Sequence, residues 1–151
     1  MNTGSVDKIA LEFTIQAVNQ GLEEAKVHKE VEGDFLIKCT DFCVKKRSPF
    51  SEVWLLLPYY SNGTLWDKFQ EMKRNSKSFS EEELLNLMIQ IAQGVANIHE
   101  RGYTHRDLKP ANILMDNLIP VICDLGSCEK GETRIDSKQQ AQKILDSAAE
   151  K

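Results

Sequence analysis

Two short segments hold most of the side chains that could do chemistry. His105-Arg106-Asp107-Leu108-Lys109-Pro110-Ala111-Asn112 places a carboxylate, an ammonium and an amide close together, and Asp124-Leu125-Gly126 adds a second carboxylate. Such groups take up protons, neutralise anions or ligate hard cations. The four cysteines do not compete as a metal centre. Cys39 and Cys43 lie in an apolar, strand-like run, where four residues of rise separate them by roughly 13 Å. Cys123 and Cys128 lack the two-residue spacing of a zinc knuckle, and His28, His99 and His105 form no chelating pair with them. All four read as reduced packing thiols.

The elements that must position these segments are legible around them. Ser80 with Glu83 forms a capping box, and Leu84, Met88, Ile91, Val95 and Ile98 follow at helical intervals, predicting one apolar stripe that faces a core. Leu85 and Ala92 widen it, and Gly102 stops the helix just before the first segment. Between the two segments, Ile113-Leu114-Met115 and Val121-Ile122-Cys123 flank a turn-like stretch at 116–120 and predict a small hairpin. Upstream, residues 35–44 and 53–57 are rich in β-formers and read as an antiparallel pair across a polar loop at 45–50. Ser61-Asn62-Gly63 is a turn, and Thr64 caps a helix carrying Leu65, Phe69 and Met72 on one face. The first 34 residues are weakly patterned, with a strand-like piece at 10–16 and a polar helix at 21–32. Ala141, Ile144, Leu145 and Ala148 predict an amphipathic helix over 137–150.

With 151 residues, 41% of them apolar and 28% charged, the chain has the composition of one globular domain with a sizeable core. A net charge of −4 and the lack of a dense basic patch argue against nucleic acid as a partner. The longest apolar run, near Val53–Tyr60, is far too short for a membrane span, and the N-terminus has no signal pattern; a cytoplasmic chain is expected.

The two segments, with the helix before them and the hairpin between, resemble the catalytic loop and magnesium-binding triplet of eukaryotic protein kinases. The stretch Trp54-Leu-Leu-Leu-Pro-Tyr-Tyr-Ser-Asn-Gly-Thr-Leu65, with Asp-Leu-Gly in place of Asp-Phe-Gly, is similar to the serine/threonine-protein-kinase-sixteen branch of the Numb-associated kinase family. The resemblance implies an α+β, partial protein-kinase-like fold. Residues 1–60 would be a remnant of the β-rich N-lobe with the hinge, and 61–151 the first part of the helical C-lobe through the activation segment.

It also implies roles. Asp107 would orient the acceptor hydroxyl and take its proton, and Lys109 would meet the transferring phosphoryl group. A lysine there favours Ser/Thr acceptors on a protein substrate. Asn112 and Asp124 would ligate Mg2+ on the phosphates of ATP. Leu57 would be the gatekeeper, the Pro58 carbonyl and Tyr60 amide would face the adenine edge, and Leu114 would lie beneath the ring. His105 and Arg106 would support the loop, Arg106 meeting a charge in the activation segment.

The sequence departs from the family at both ends. No Gly-x-Gly-x-x-Gly flap is present, and Lys8, in Asp-Lys-Ile-Ala, is a poor candidate for the strand lysine. Glu24 falls where the family's helix glutamate belongs if Gly33-Asp34 takes the place of the His-Pro turn; its other reading is a solvated helix charge. The expectation is an incomplete chain that stops before the substrate-docking helices, weakly active or inactive alone. The alternative is a non-catalytic, kinase-derived interaction module. In either case part of the long helix's stripe should be exposed, a surface for self-association or a partner.

Overall fold

The computed structural model describes residues 8–14, 18–46 and 51–131, together with 138, 139 and 142. Of residues 8–14, 18–20 and 51, only the backbone course is described. A three-stranded antiparallel sheet is built from β1 (Lys8–Thr14), β2 (Asp41–Lys46) and β3 (Ser51–Pro58), with β3 central in the order β1-β3-β2. Helix α1 (Val18–Glu30) packs on β3, so that Ala25 meets Val53, Leu55 and Leu57 in one apolar cluster. The first strand and helix therefore begin a few residues earlier than their sequence patterns suggest.

Residues 35–40 do not continue a strand. Leu36 and Ile37 are buried, and they pair instead with the later hairpin: the Ile37 N–H donates to the Ile122 carbonyl and the Ile122 N–H to the Phe35 carbonyl, both at 2.8 Å. Burying these two apolar side chains outweighs their strand propensity within the N-terminal sheet. The β2 strand is left short, with Cys39 ahead of it.

Helix α2 (Leu65–Arg74) follows the expected Thr64 cap, and Asp67 completes a capping box. Helix α3 (Glu81–Glu100) has the expected Ser80–Glu83 box, and Gly102 follows it with φ +75°. The face of α3 turned to the chain's own core is rotated from the expected stripe. Leu87, Gly94 and Ile98 are buried, and Ile91 and Val95 are half-buried against the core. Leu84, Leu85 and Met88 are 43%, 58% and 61% exposed, so part of the stripe is uncovered, as expected, and these three residues are that part.

Strand β4 (Tyr103–Thr104) leads into the first polar segment, whose end forms a short 3-10 turn at Pro110–Asn112. The hairpin of β5 (Ile113–Asp116) and β6 (Ile119–Ile122) turns at Asn117 and Leu118, and a second 3-10 turn follows at Leu125–Ser127. Strand β7 (Glu129–Lys130) then pairs with β4. Gly94 lets α3 lie against this hairpin: a Cβ there would stand 2.8 Å from Ile122 Cδ1 and 3.2 Å from the Phe35 carbonyl oxygen. The expected helix at 137–150 lies almost wholly outside the described residues.

Candidate active site

A cavity of about 510 Å³ opens between the sheet and the hairpin. Leu57, Pro58 and Tyr60 line it from β3 and the segment after it, Leu114 from β5, and Asp124 from the far end of the hairpin. Four residues that the resemblance sets around the adenine ring and one that it assigns to a metal thus share one space. Burial, and then the Asp116 carboxylate, push the Tyr60 hydroxyl above its usual range.

Asp107, Lys109 and Asn112 form a second cluster beside this cavity. Asn112 is buried, and its Nδ2 donates to both Asp107 Oδ2 and the Asp107 carbonyl at 3.0 Å. Lys109 Nζ lies 2.7 Å from the same Oδ2. That bond, with smaller charge contributions from Asp107 and Asp124, raises the Lys109 ammonium above its ordinary value. The second cluster joins the cavity wall through the backbone: the Cys123 N–H donates to the Asn112 carbonyl at 3.0 Å.

His105, buried at 3% exposure, connects the two clusters again. Its Nδ1 accepts from the Asp107 N–H at 3.3 Å, so Nε2 carries the proton and donates to the Cys123 carbonyl at 3.1 Å. Arg106 pairs with Glu129 on β7, the expected charge in the segment beyond the triplet. Arg106 and Asp124 both adopt left-handed backbone conformations, φ +65° and +59°. Non-glycine residues there carry strain on the order of 1 kcal/mol, which the surrounding hydrogen bonds hold in place.

Glu24 is not a solvated charge. It is 7% exposed on α1 and lines the cavity, with His28 Nε2 3.9 Å from its Oε1. His28 and Cys123 also line the cavity, and neither was singled out for it by the sequence reading. The four-residue step from Glu24 to His28 on one helix face was the available signal. Burial first, and then Asp124, push the Cys123 thiol up to about 11. Lys8 begins β1 with its backbone in register with Pro58.

Asn112 and Asp124 are suited to a hard cation. The Asn112 nitrogen is committed to Asp107, which leaves its amide oxygen as a donor, and the Asp124 carboxylate is exposed to the cavity. Among the described residues no three His, Cys, Asp or Glu side chains gather as a metal cage. Two protein oxygens completed by phosphate oxygens are a common arrangement for Mg2+. Among the described residues no helix is long and apolar enough to cross a membrane.

The family model for the protein kinase domain matches residues 6–145, reaching further toward the N-terminus than the motifs do. The chain is 34% identical over 137 residues to serine/threonine-protein kinase 16 of Mus musculus, covering 90% of this chain and 45% of that protein. It is 36% identical over 129 residues to serine/threonine-protein kinase 16 of Homo sapiens, covering 85% and 42%. A more distant relative, serine/threonine-protein kinase ENV7 of Saccharomyces cerevisiae, is 22% identical over 179 residues, covering 87% and 49%. The chain spans less than half the length of these relatives. On the family match over residues 6–145 and the α+β architecture, the chain belongs to the protein kinase family, and the relatives named above are serine/threonine kinases.

Proposed function

We propose that the cavity takes ATP with Mg2+, and that Asp107, Lys109, Asn112 and Asp124 are its phosphoryl-transfer end. In the full-length form the γ-phosphate passes to a Ser or Thr hydroxyl of a protein substrate; this chain by itself is weakly active or inactive. Residues 1–60 serve as N-lobe remnant and hinge, and 61–151 as the start of the C-lobe. The observation that carries the reading is the joint placement of Asp124 with Leu57, Pro58, Tyr60 and Leu114 around one cavity, beside an Asp107 held by Asn112 and Lys109.

Phosphoryl transfer passes through a loose transition state, so the protein mainly positions groups and neutralises charge. The apolar side chains of Leu57 and Leu114 offer flat contact to a purine, and Pro58 and Tyr60 bring backbone groups to its edge. Asn112 Oδ1 and the Asp124 carboxylate would hold Mg2+, which supplies charge neutralisation on the phosphates when bound. Asp107 orients the acceptor hydroxyl and accepts its proton. Lys109, kept cationic by Asp107, stands ready to balance charge on the transferred group.

The test is equilibrium binding of Mg2+-ATP to the 151-residue chain, alone and as Asp124→Ala. Saturable binding that Asp124→Ala weakens by roughly tenfold or more supports the reading, the size expected for loss of a charged ligand contact. Binding that Asp124→Ala leaves unchanged would place the nucleotide elsewhere. In the full-length form, Asp107→Asn should abolish phosphate incorporation into a protein substrate while leaving nucleotide binding in place.

A further inference from the structure

Lys73, Arg74 and Lys77 are exposed at the end of α2 and in the turn behind it, and Ser76 stands exposed among them. Asn75 caps the helix, the Lys77 N–H donates to the Met72 carbonyl at 2.9 Å, and the Ser76 N–H donates to the Lys73 carbonyl at 3.3 Å. This pattern of helix closure usually places a glycine where the chain turns left-handed, and Ser76 takes that place with φ +50°. Glu71, one turn back on α2, is bonded to Lys68 at 3.0 Å.

An exposed hydroxyl with cations just ahead of it in the chain has the chemistry of a phosphate acceptor. Protein kinases choose substrates by charge pattern, and an acidic peptide groove suits a serine with Arg74 two residues and Lys73 three residues ahead of it. In-line attack requires the serine to enter that groove on extended chain, so the last turn of α2 must open. The left-handed backbone at Ser76 is held at a cost, and opening releases it. Ser78 has Ser76 and Asn75 at the same two places and lacks this pattern. Ser80 has the opposite surroundings: its Oγ accepts from the Glu83 N–H at 3.2 Å, and Glu81, Glu82 and Glu83 follow it.

We propose that Ser76 is a phosphorylation site for a serine/threonine kinase that selects basic residues ahead of its acceptor. Ser76 Oγ bonds to the γ-phosphorus of ATP as the bond from that phosphorus to the bridging oxygen breaks. ADP leaves, and the hydroxyl proton passes to a carboxylate of the modifying kinase. The phosphate carries about −2 charge at neutral pH, so the patch of Lys73, Arg74 and Lys77 falls from three positive charges to about one. The site is independent of the nucleotide cavity.

The experiment incubates the 151-residue chain with Mg2+-ATP and a purified kinase already shown to phosphorylate Lys-Arg-Asn-Ser peptides, and maps the product by mass spectrometry. A reaction without the added kinase gives the background. Ser76 should hold most of the phosphate incorporated above that background. Arg74→Ala, at an exposed helix position that alanine suits, should slow incorporation by roughly tenfold or more while the circular dichroism spectrum stays unchanged. A chain left unlabelled overturns the inference, because the folded end of α2 then withholds the serine. Phosphate found mainly on another residue overturns it, and so does incorporation at Ser76 that Arg74→Ala leaves unchanged.

Discussion

Asn112 grips Asp107 at two points, donating from one Nδ2 to the carboxylate oxygen and to the backbone carbonyl at 3.0 Å each. One buried amide thereby fixes both the side-chain rotamer of Asp107 and the peptide that carries it. Hydrogen bonds to a charged acceptor are worth about 1.5–3 kcal/mol, more than neutral ones. Asn112→Ala should therefore destabilise the chain by about 1–3 kcal/mol in urea unfolding, and should weaken Mg2+-ATP binding as well. Asn112→Asp keeps the oxygen that would face a cation but sets a second carboxylate against Asp107, so it should not restore stability. A chain carrying Asn112→Ala with an unchanged urea midpoint would show that the clamp contributes nothing.

Two glycines near the ends of this scaffold are needed for different reasons, and substitution separates them. At Gly94 the obstacle is space, since an added Cβ would press on Ile122 Cδ1 and on the Phe35 carbonyl oxygen. Alanine gains about 1 kcal/mol of helix propensity there, which offsets part of an overpacking cost of about 1–3 kcal/mol. Gly94→Val should lose both ways and be clearly the worse variant. At Gly102 nothing lies within 4 Å, and only its φ of +75° resists a side chain. Gly102→Ala should cost about 1 kcal/mol, and Gly102→Asn less, because asparagine tolerates the left-handed region. Equal losses for Gly94→Val and Gly102→Ala would contradict the close approach of α3 to the hairpin.

The raised thiol of Cys123 gives a pH dependence with a definite sign. Its folded value of about 11 lies above the ordinary 9.0, so the native state keeps the proton that the unfolded chain loses first. Below the ordinary value both states are protonated and the group contributes nothing. As pH rises from about 9 to about 11 the unfolded state is favoured and stability falls. Urea midpoints at pH 8 and pH 10 should therefore move further apart in the wild-type chain than in Cys123→Ala. Thiol labelling at neutral pH should reach exposed Cys43 well before Cys123.

What was legible in the sequence divides along physical lines. The Thr64 cap, the Ser80–Glu83 capping box and the small hairpin after Asn112 are local, set by hydrogen bonds and alternation within a few residues, and they form as read; the Asp67 half of the box at Thr64 is added by the structure. The assignment of Leu57, Pro58, Tyr60, Leu114 and Asp124 to one site rested on motif order, and the five do meet around one cavity. Features that depend on distant partners were harder. Periodicity gives the width of an apolar stripe on α3 but not which part faces Ile122, and Leu87 rather than Met88 takes the inner position. Leu36 and Ile37 look like strand residues until the hairpin they pair with is in place. The left-handed backbone at Arg106 has no signature in residue type, whereas at Asp124 the aspartate is at least a type that tolerates it.

The outer side of α3 carries the remaining consequence. Leu84, Leu85, Met88 and Ile89 stand one turn apart in pairs, are all more than 40% exposed, and form a continuous apolar surface over the helix's first turns. Isolated exposed apolar residues are ordinary, but a contiguous group of four on a rigid helix gains by leaving water together. The simplest cover available to these 151 residues alone is the same face of a second copy. The chain should therefore associate with rising concentration in sedimentation velocity. Leu85→Glu with Met88→Glu should return it to a monomer with an unchanged circular dichroism spectrum, since both positions are outside the clusters that hold α3 to the hairpin. A wild-type chain that stays monomeric at high micromolar concentration would show that the exposed surface is too small or too curved to bind itself.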